Sequence, residues 1–329
     1  MTLRIGLLGA SRIAEQAIVG PANDLGHRLV AVAARDPQRA AAFAEKYGVE
    51  RVLGSYDEVI TDPQVDVVYN PLANSLHAPW NLAAVAAGKP VLTEKPFARD
   101  RAEAQRVAEA AQAAGVTVME GFHYLFHPVT RRVFDLAVNG ALGEITHVEV
   151  RMAMLPPAPE DPRWSLAMAG GSLMDLGCYG LHVMRKLGAL APRGIEGDPV
   201  VVRAHAEERD PGVDAWCDVE LAFPGGATGL AANSMVSDDV TFTLRVVGTE
   251  GDVLAHNFIK PQADDRLTVS TPAGVTVEHL GTRPSYTYQL EAFAAHVQHG
   301  APLPLDNADA VDNMALIDAA YRAAGLSPR

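Results

Sequence analysis

The feature that most constrains this chain is an alternation confined to its first third. Apolar runs at Leu3–Leu8, Leu29–Ala34, Val65–Tyr69, Pro90–Thr93 and Val116–Met119 are separated by segments rich in Ala, Glu, Gln and Arg, among them Pro37–Tyr47, Leu76–Ala87 and Asp100–Ala114. Glycine stands just past their ends, at Gly48, Gly88 and Gly115. Such segments read as helices, because alanine loses little on entering a helix and glycine accepts the left-handed conformation that ends one. Runs that are apolar at nearly every position need cover on both faces. Strands of that kind alternating with helices specify a doubly wound parallel sheet, an α/β domain over residues 1–122.

Residues 123–329 follow a different pattern. A helix is expected at Pro128–Val138, ended by Asn139-Gly140, then a strand at Glu144–Met152, a loop with four prolines at Leu155–Pro162, and a helix at Ser172–Leu187. Extended runs follow at Val200–Ala206, Ala215–Phe223, Ala227–Met235, Thr241–Val247, Asp252–Phe258, Leu267–Ser270 and Val275–His279, broken by hairpin-like turns such as Pro224-Gly225-Gly226 and Gly248-Thr249-Glu250-Gly251. This predicts an α+β domain with a large, open, mostly antiparallel sheet and helices on one face. Helices at Tyr288–Gln298 and Asn307–Ala324 are expected to close it.

Charge narrows the partners. Forty acidic against 27 basic residues give a net charge of -13, the wrong sign for nucleic acid or an anionic membrane surface, both of which need a basic footprint. A small-molecule substrate is expected. The apolar stretch near the N-terminus is short, broken by Gly6 and Gly9 and followed by Arg12 and Glu15, so it does not read as a signal peptide; no apolar run of about 18 residues suggests a membrane span. Cys178 and Cys217 are too few for a disulfide framework, and a cytoplasmic location is expected.

Gly9-Ala10-Ser11-Arg12-Ile13-Ala14 follows the first strand and opens a helix, the position of a dinucleotide fingerprint G-x-G-x-x-G/A. Gly9 takes the tight turn, Ser11 stands where glycine lets the backbone approach a pyrophosphate, and Ala14 allows close helix packing. The anion would rest on the helix N-terminus. At the end of the second strand, Ala33-Ala34-Arg35-Asp36 has alanine where an NAD site carries an acid. Arg35 favours a 2′-phosphate and therefore NADP, while Asp36 restoring a ribose contact leaves NAD open.

Two further segments carry candidate chemistry. Thr93-Glu94-Lys95-Pro96 closes the fourth strand, where ligands of open α/β sheets bind, and the proline admits a cis bond. Gly170 to His182 reads Gly-Gly-Ser-Leu-Met-Asp-Leu-Gly-Cys-Tyr-Gly-Leu-His; Asp175 and Tyr179 stand at i and i+4, on one helix face, with His182 three residues on.

These residues resemble the glucose-fructose oxidoreductase and inositol dehydrogenase superfamily, Gfo/Idh/MocA. The resemblance is carried by Gly6-x-x-Gly9-x-Ser11-x-Ile13-Ala14, Pro71-x-x-Asn74-x-x-His77, Ala87 to Pro96, Gly170-Gly171-x-x-x-Asp175-x-Gly177-x-Tyr179 and the Gly248-Thr249-x-Gly251 turn. It implies a Rossmann domain followed by the α+β domain, an active site between them, and a homodimer or homotetramer packed through the open sheet, whose uncovered face would otherwise expose apolar surface. Tyrosine at 179, where many members have histidine, is similar to the branch of glucose-fructose oxidoreductase and the dimeric dihydrodiol dehydrogenases.

The implied activity is an NADP-dependent oxidoreductase acting on a secondary alcohol or carbonyl of a sugar, cyclic polyol or dihydrodiol. Tyr179 is the expected acid/base, helped by the Lys95 ammonium because a phenol titrates near ~10; Lys95 as the proton acceptor itself is the alternative. Asp175 positions the substrate or orients the lysine. Gly9, Ser11, Arg12, Ile13, Arg35, Pro71, Asn74, His77, Glu94 and Lys95 are the expected cofactor residues, although His77 equally reads as the start of a helix. Tyr124 and His123, with Glu120 nearby, are placed in the substrate pocket, and His182 either reaches a substrate hydroxyl or packs. Arg163-Trp164 either covers the substrate or packs on proline. His123 and His127 lack the adjacent acid of a zinc motif, so no metal is expected. Competing functions are a glycosidase that uses bound NAD transiently and a non-catalytic NADP sensor.

Overall fold

The computed structural model describes residues 2–329. The chain divides into two compact units, one of the chain up to His123 with Tyr286–Met314, the other of Tyr124–Ser285 with Ala315–Arg329.

Unit 1 contains a five-stranded sheet, β1 (Arg4–Leu8), β2 (Arg28–Ala33), β3 (Val67–Asn70), β4 (Val91–Thr93) and β5 (Val118–Glu120), in the order β2-β1-β3-β4-β5. All neighbours are parallel, and β3, β4 and β5 are buried at every position, as continuous apolar runs require. The helices are α1 (Gly20–Leu25), entered through a π-helical turn at Glu15–Val19, then α2 (Pro37–Tyr47), α3 (Tyr56–Thr61), α4 (His77–Ala86) and α5 (Arg101–Ala114). Asp36 caps α2 and Asp100 caps α5, each accepting from a main-chain amide of the first turn. The six residues of α3 are too short to show a helical period, yet Ser55 caps it, its Oγ accepting from the Glu58 amide at 3.1 Å while the Glu58 carboxylate accepts from the preceding Gly54 amide at 3.0 Å.

Unit 2 contains α6 (Pro128–Val138), β6 (Ile145–Ala153), a π-helical turn at Leu173–Gly177 running into α7 (Cys178–Leu190), and strands β7 (Val200–Asp210), β8 (Val213–Ala222), β9 (Thr228–Ser234), β10 (Thr241–Gly248), β11 (Gly251–Ala255), β12 (Arg266–Thr271) and β13 (Gly274–His279). The eight strands form one sheet, β13-β12-β11-β10-β6-β9-β8-β7, antiparallel except for β6 beside β9. Val148, Val150, Val219, Ala231, Leu244 and Val246 are buried on the inner face, against which α7 lies so closely that a Cβ at Gly180 would come 2.9 Å from Ala231 Cβ.

Two expectations change. The first terminal helix, α8 (Ser285–His299), belongs almost entirely to unit 1: the Tyr286 ring stacks on His123 at 3.8 Å, Thr287 Oγ1 bonds Asp24 and His296 pairs with Thr117. Sequence reading assigned it to the second domain because no composition shift marks the return. The second helix, α9 (Asn307–Ala323), passes from one unit into the other. The outer sheet face is also not the apolar surface expected: it alternates Glu149, Arg151, Trp216, Asp218, Glu220 and Arg245, with ion pairs Arg151–Glu149 at 2.8 Å and Arg245–Asp252 at 3.1 Å. Among the described residues no helix is long and apolar enough to cross a membrane.

Candidate active site

In unit 1 the strand order reverses at β1, whose neighbours β2 and β3 carry the chain in opposite directions across the sheet. Such a switch point opens a crevice beyond the strand ends, the general ligand position in α/β sheets. Gly9 lines it with φ of +89°, its amide donating to the Ala33 carbonyl at 2.7 Å. A Cβ there would sit 2.9 Å from Leu72 of the loop after β3. Ser11 is half-buried, Arg12 exposed and Ala14 fully buried. The cradle therefore fits a group that needs close backbone approach.

At the end of β2, Arg35 is exposed, while Asp36 Oδ1 accepts from the Gln38 amide at 2.9 Å as the cap of α2. That commitment of Asp36 favours the arginine reading of this segment. A second guanidinium, missed from sequence, joins it: Arg39, one helical turn on, donates from Nη2 to the Ala10 carbonyl in the glycine loop at 2.9 Å. The i, i+4 spacing of Arg35 and Arg39 is the signal that locates it.

Pro71 and Asn74 follow β3, and Asn74 starts a short 3-10 turn. His77 adopts the helix-start reading. It opens α4, is 1% exposed, and its ring nitrogens meet two main-chain carbonyls, Nδ1 with Pro96 at 2.6 Å and Nε2 with Leu72 at 2.9 Å. It thus ties the loop after β3 to the loop after β4 and has no ring nitrogen left for a cofactor. Burial lowers its pKa to about 4 while the two carbonyls pull the other way; in the neutral ring one nitrogen donates to its carbonyl and the other, without a proton, only lies against the second. Glu94 is buried and accepts from the Tyr69 hydroxyl at 2.9 Å; Tyr69 has its phenol pushed well up by burial, with the Glu94 carboxylate adding to it. Lys95 follows, half-buried, and the Lys95–Pro96 bond is cis. His123 is fully buried against Tyr286.

In unit 2 the structure brings Tyr124, Tyr179 and His182 together. The Tyr124 hydroxyl is hydrogen-bonded to His182 Nδ1 at 2.9 Å, and its ring meets Tyr179 edge-on at 6.0 Å and Phe258 at 5.4 Å. All four side chains are buried, Tyr179 at 4% exposure. Asp175, on the π-helical turn, pairs with Arg163 Nε at 2.9 Å, and Arg163 also reaches Asp161 at 3.3 Å. Trp164 takes the packing reading: it is buried, donates from its indole nitrogen to the Pro157 carbonyl at 3.3 Å, and carries the Arg209 guanidinium 4.4 Å from its ring. His127 caps α6, its Nδ1 accepting from the Val129 amide at 3.1 Å. Among the described residues no group of three or more His, Cys, Asp or Glu is placed to hold a metal.

The parallel sheet of unit 1 and the large, mostly antiparallel sheet of unit 2 agree in fold with what comparison with known proteins finds. Residues 3–122 match the family model described as an oxidoreductase family with an NAD-binding Rossmann fold, and residues 130–254 match that of the GFO/IDH/MocA C-terminal domain. The chain is 34% identical to a D-xylose 1-dehydrogenase (NADP(+)) of Haloferax volcanii over 98% of its own length and 97% of the relative's. It is 34% identical to trans-1,2-dihydrobenzene-1,2-diol dehydrogenase of Mus musculus over 76% of its length and 74% of the relative's. Among solved structures, KijD10, a 3-ketoreductase from Actinomadura kijaniata in complex with NADP and TDP-benzene, superposes with a TM-score of 0.89 at 27% identity, covering 98% of both chains. That reductase has also been solved with one tyrosine changed to phenylalanine and with one lysine changed to alanine.

Proposed function

The chain belongs to the GFO/IDH/MocA oxidoreductase family, and from that premise we propose that it is an NADP-dependent dehydrogenase of a neutral sugar, cyclic polyol or dihydrodiol. The observation that carries the cofactor is the Arg39 guanidinium bonded to the Ala10 carbonyl of the glycine loop, with Arg35 exposed at the end of β2 and Asp36 held by a helix cap. Arginine binds a phosphate through charge-assisted, often bidentate bonds. Gly9 to Ile13 hold the pyrophosphate, Arg35 and Arg39 the 2′-phosphate, and Pro71, Asn74 and Glu94 the nicotinamide riboside. The bound nicotinamide supplies or accepts the hydride.

Tyr179 exchanges the hydroxyl proton of the substrate, and Lys95 supplies the positive charge that makes a phenol effective near neutral pH. The lysine and tyrosine altered in KijD10 are spaced along that chain as Lys95 and Tyr179 are here, which supports taking the two as one catalytic set. Arg163 is flanked by Asp161 and Asp175, so its charge is already balanced, and this favours an uncharged, hydroxyl-rich substrate over a sugar phosphate. Tyr124 and His182 offer hydroxyl and imidazole partners in an apolar wall.

The test is a screen of aldoses, inositols and dihydrodiols with NADP+ and NAD+, following the near-ultraviolet absorbance of the reduced nicotinamide. Turnover of a neutral polyol or aldose with preference for NADP+ is expected; tight NADPH binding without turnover on any of them overturns the reading. We propose in addition that the outer sheet face pairs with a second copy. A depression there, lined by Arg151, Trp216, Asp218 and Thr241, mixes charge with an indole, and interfaces with that composition are favoured when the charges match a two-fold partner. Sedimentation should give a dimer or tetramer.

A further inference from the structure

The helical turn that carries Asp175 is gripped by residues distant in sequence, all within unit 2. Asp214, the second residue of β8 and fully buried, accepts from the Leu173 amide at 2.6 Å. Its other oxygen accepts from the Tyr321 hydroxyl at 3.1 Å and from the Arg329 guanidinium. Arg329, with a side chain 1% exposed, donates from Nε to the Gly170 carbonyl at 2.8 Å and lies over the Tyr321 ring at 3.9 Å. The carbonyl of Gly170 and the amide of Leu173 bracket Gly171-Ser172, so each end of that turn is bonded to one member of an ion pair whose members bond each other.

The turn leaves no slack. Gly171 has φ of +125°, and a Cβ there would run into the Asp214 carboxylate and come 2.8 Å from Arg329 Nη2. Ser172 Oγ donates to Asn233 at 2.8 Å. From Gly171 the constraint passes in two directions, through its carbonyl to the Asp175 amide at 3.0 Å and through its amide to the Arg163 carbonyl at 2.9 Å. Both ends of the Arg163–Asp175 pair thus depend on where Gly171 sits, and Tyr179 follows Asp175 by one turn. The first amides of a helix have no intrahelical acceptor, and a carboxylate near them also suits the helix dipole. Burial pushes the Asp214 carboxyl up, and Arg329, the Leu173 amide and the Tyr321 hydroxyl oppose that shift.

We propose that Asp214 and Arg329 are positioning residues for the reaction: their ion pair fixes the Gly170–Leu173 turn and thereby sets Asp175 and Tyr179 for substrate. This rests on the reading of Tyr179 as the proton-transfer group. The experiment uses the full chain, with D-xylose or whichever aldose or diol of the screen turns over fastest, and compares R329A, R329K and Y179F.

R329A should lower kcat by about 10-fold or more while the Kd for NADPH stays within about 2-fold, because the cofactor loop lies in the other unit. Millimolar guanidinium should restore part of that kcat in R329A and none in Y179F, its denaturing effect being negligible at that concentration. Wild-type kcat in R329A, or a loss that guanidinium does not reverse, overturns the proposal. Where R329A fails to fold, R329K decides, since it keeps the charge beside Asp214 and loses the fork to Gly170: a several-fold fall in kcat supports the clamp and wild-type kcat overturns it. Full activity in Y179F defeats the catalytic reading itself, whereas an inactive Y179F beside a fully active R329A defeats only the clamp.

Discussion

Arg163 Nε lies 2.9 Å from a carboxylate oxygen of Asp175, which joins a loop residue expected to cover the substrate to a helix residue expected to position it. The two act as one unit, and the second contact of Arg163 with Asp161 orients the guanidinium plane. Replacing Arg163 with leucine should therefore disturb substrate binding more than chemistry: KM for the sugar rises by about 10-fold with the NADPH Kd unchanged. Initial-rate kinetics check this. An unaltered KM would remove the pair from the substrate site.

Tyr179 and Lys95 call for a different pattern. Removing a general acid/base or its activating charge costs roughly 100-fold or more in turnover and leaves ground-state binding largely alone. Tyr179→Phe and Lys95→Met should each show that loss with near-normal NADPH affinity, read by fluorescence titration. Near-wild-type turnover in either variant would take that residue out of the catalytic set.

The strands of unit 1 were legible because a strand buried on both faces must be apolar throughout, and the C-terminal ends of α2 and α5 because Gly48 and Gly115 announce them. Pairings between residues distant in sequence were not legible. Nothing local to Tyr124 or His182 announces their hydrogen bond across 58 positions, and Asp214 stands just outside the extended run expected at Ala215–Phe223, with no local sign that β8 begins before it and buries it. His77 shows the other limit: its place in a motif suggested a ligand, whereas the fold uses both ring nitrogens on carbonyls. Arg39 lies beyond the strand end that marks a ribose site, inside α2, where an exposed arginine reads as an ordinary surface charge.

Cofactor preference isolates the two guanidinium groups. A charge-assisted bond to phosphate contributes about 1.5–3 kcal/mol, or roughly 10- to 100-fold in affinity. Arg39→Gln should weaken NADPH by about that factor and NADH hardly at all, and Ala34→Asp with Arg35→Ser should shift preference toward NAD+. The ratio of kcat/KM values for the two cofactors measures both. Equal weakening of NADH and NADPH in Arg39→Gln would make its bond to the Ala10 carbonyl structural only.

His77 predicts a pH dependence of stability in unit 1. Its folded pKa of about 4 lies below the ordinary 6.5, so between those values the unfolded chain binds a proton that the folded chain refuses, and stability falls as pH drops through that window. The contribution is complete above about pH 6.5 and is lost by about pH 4; a shift of that size corresponds to roughly 2–4 kcal/mol. Asparagine at 77 keeps one hydrogen bond to a carbonyl and does not titrate. Wild type should therefore exceed His77→Asn in thermal stability most at pH 8, with the gap narrowing steadily toward pH 4.5. A gap that stays constant over that range would mean the buried ring does not change its protonation on unfolding.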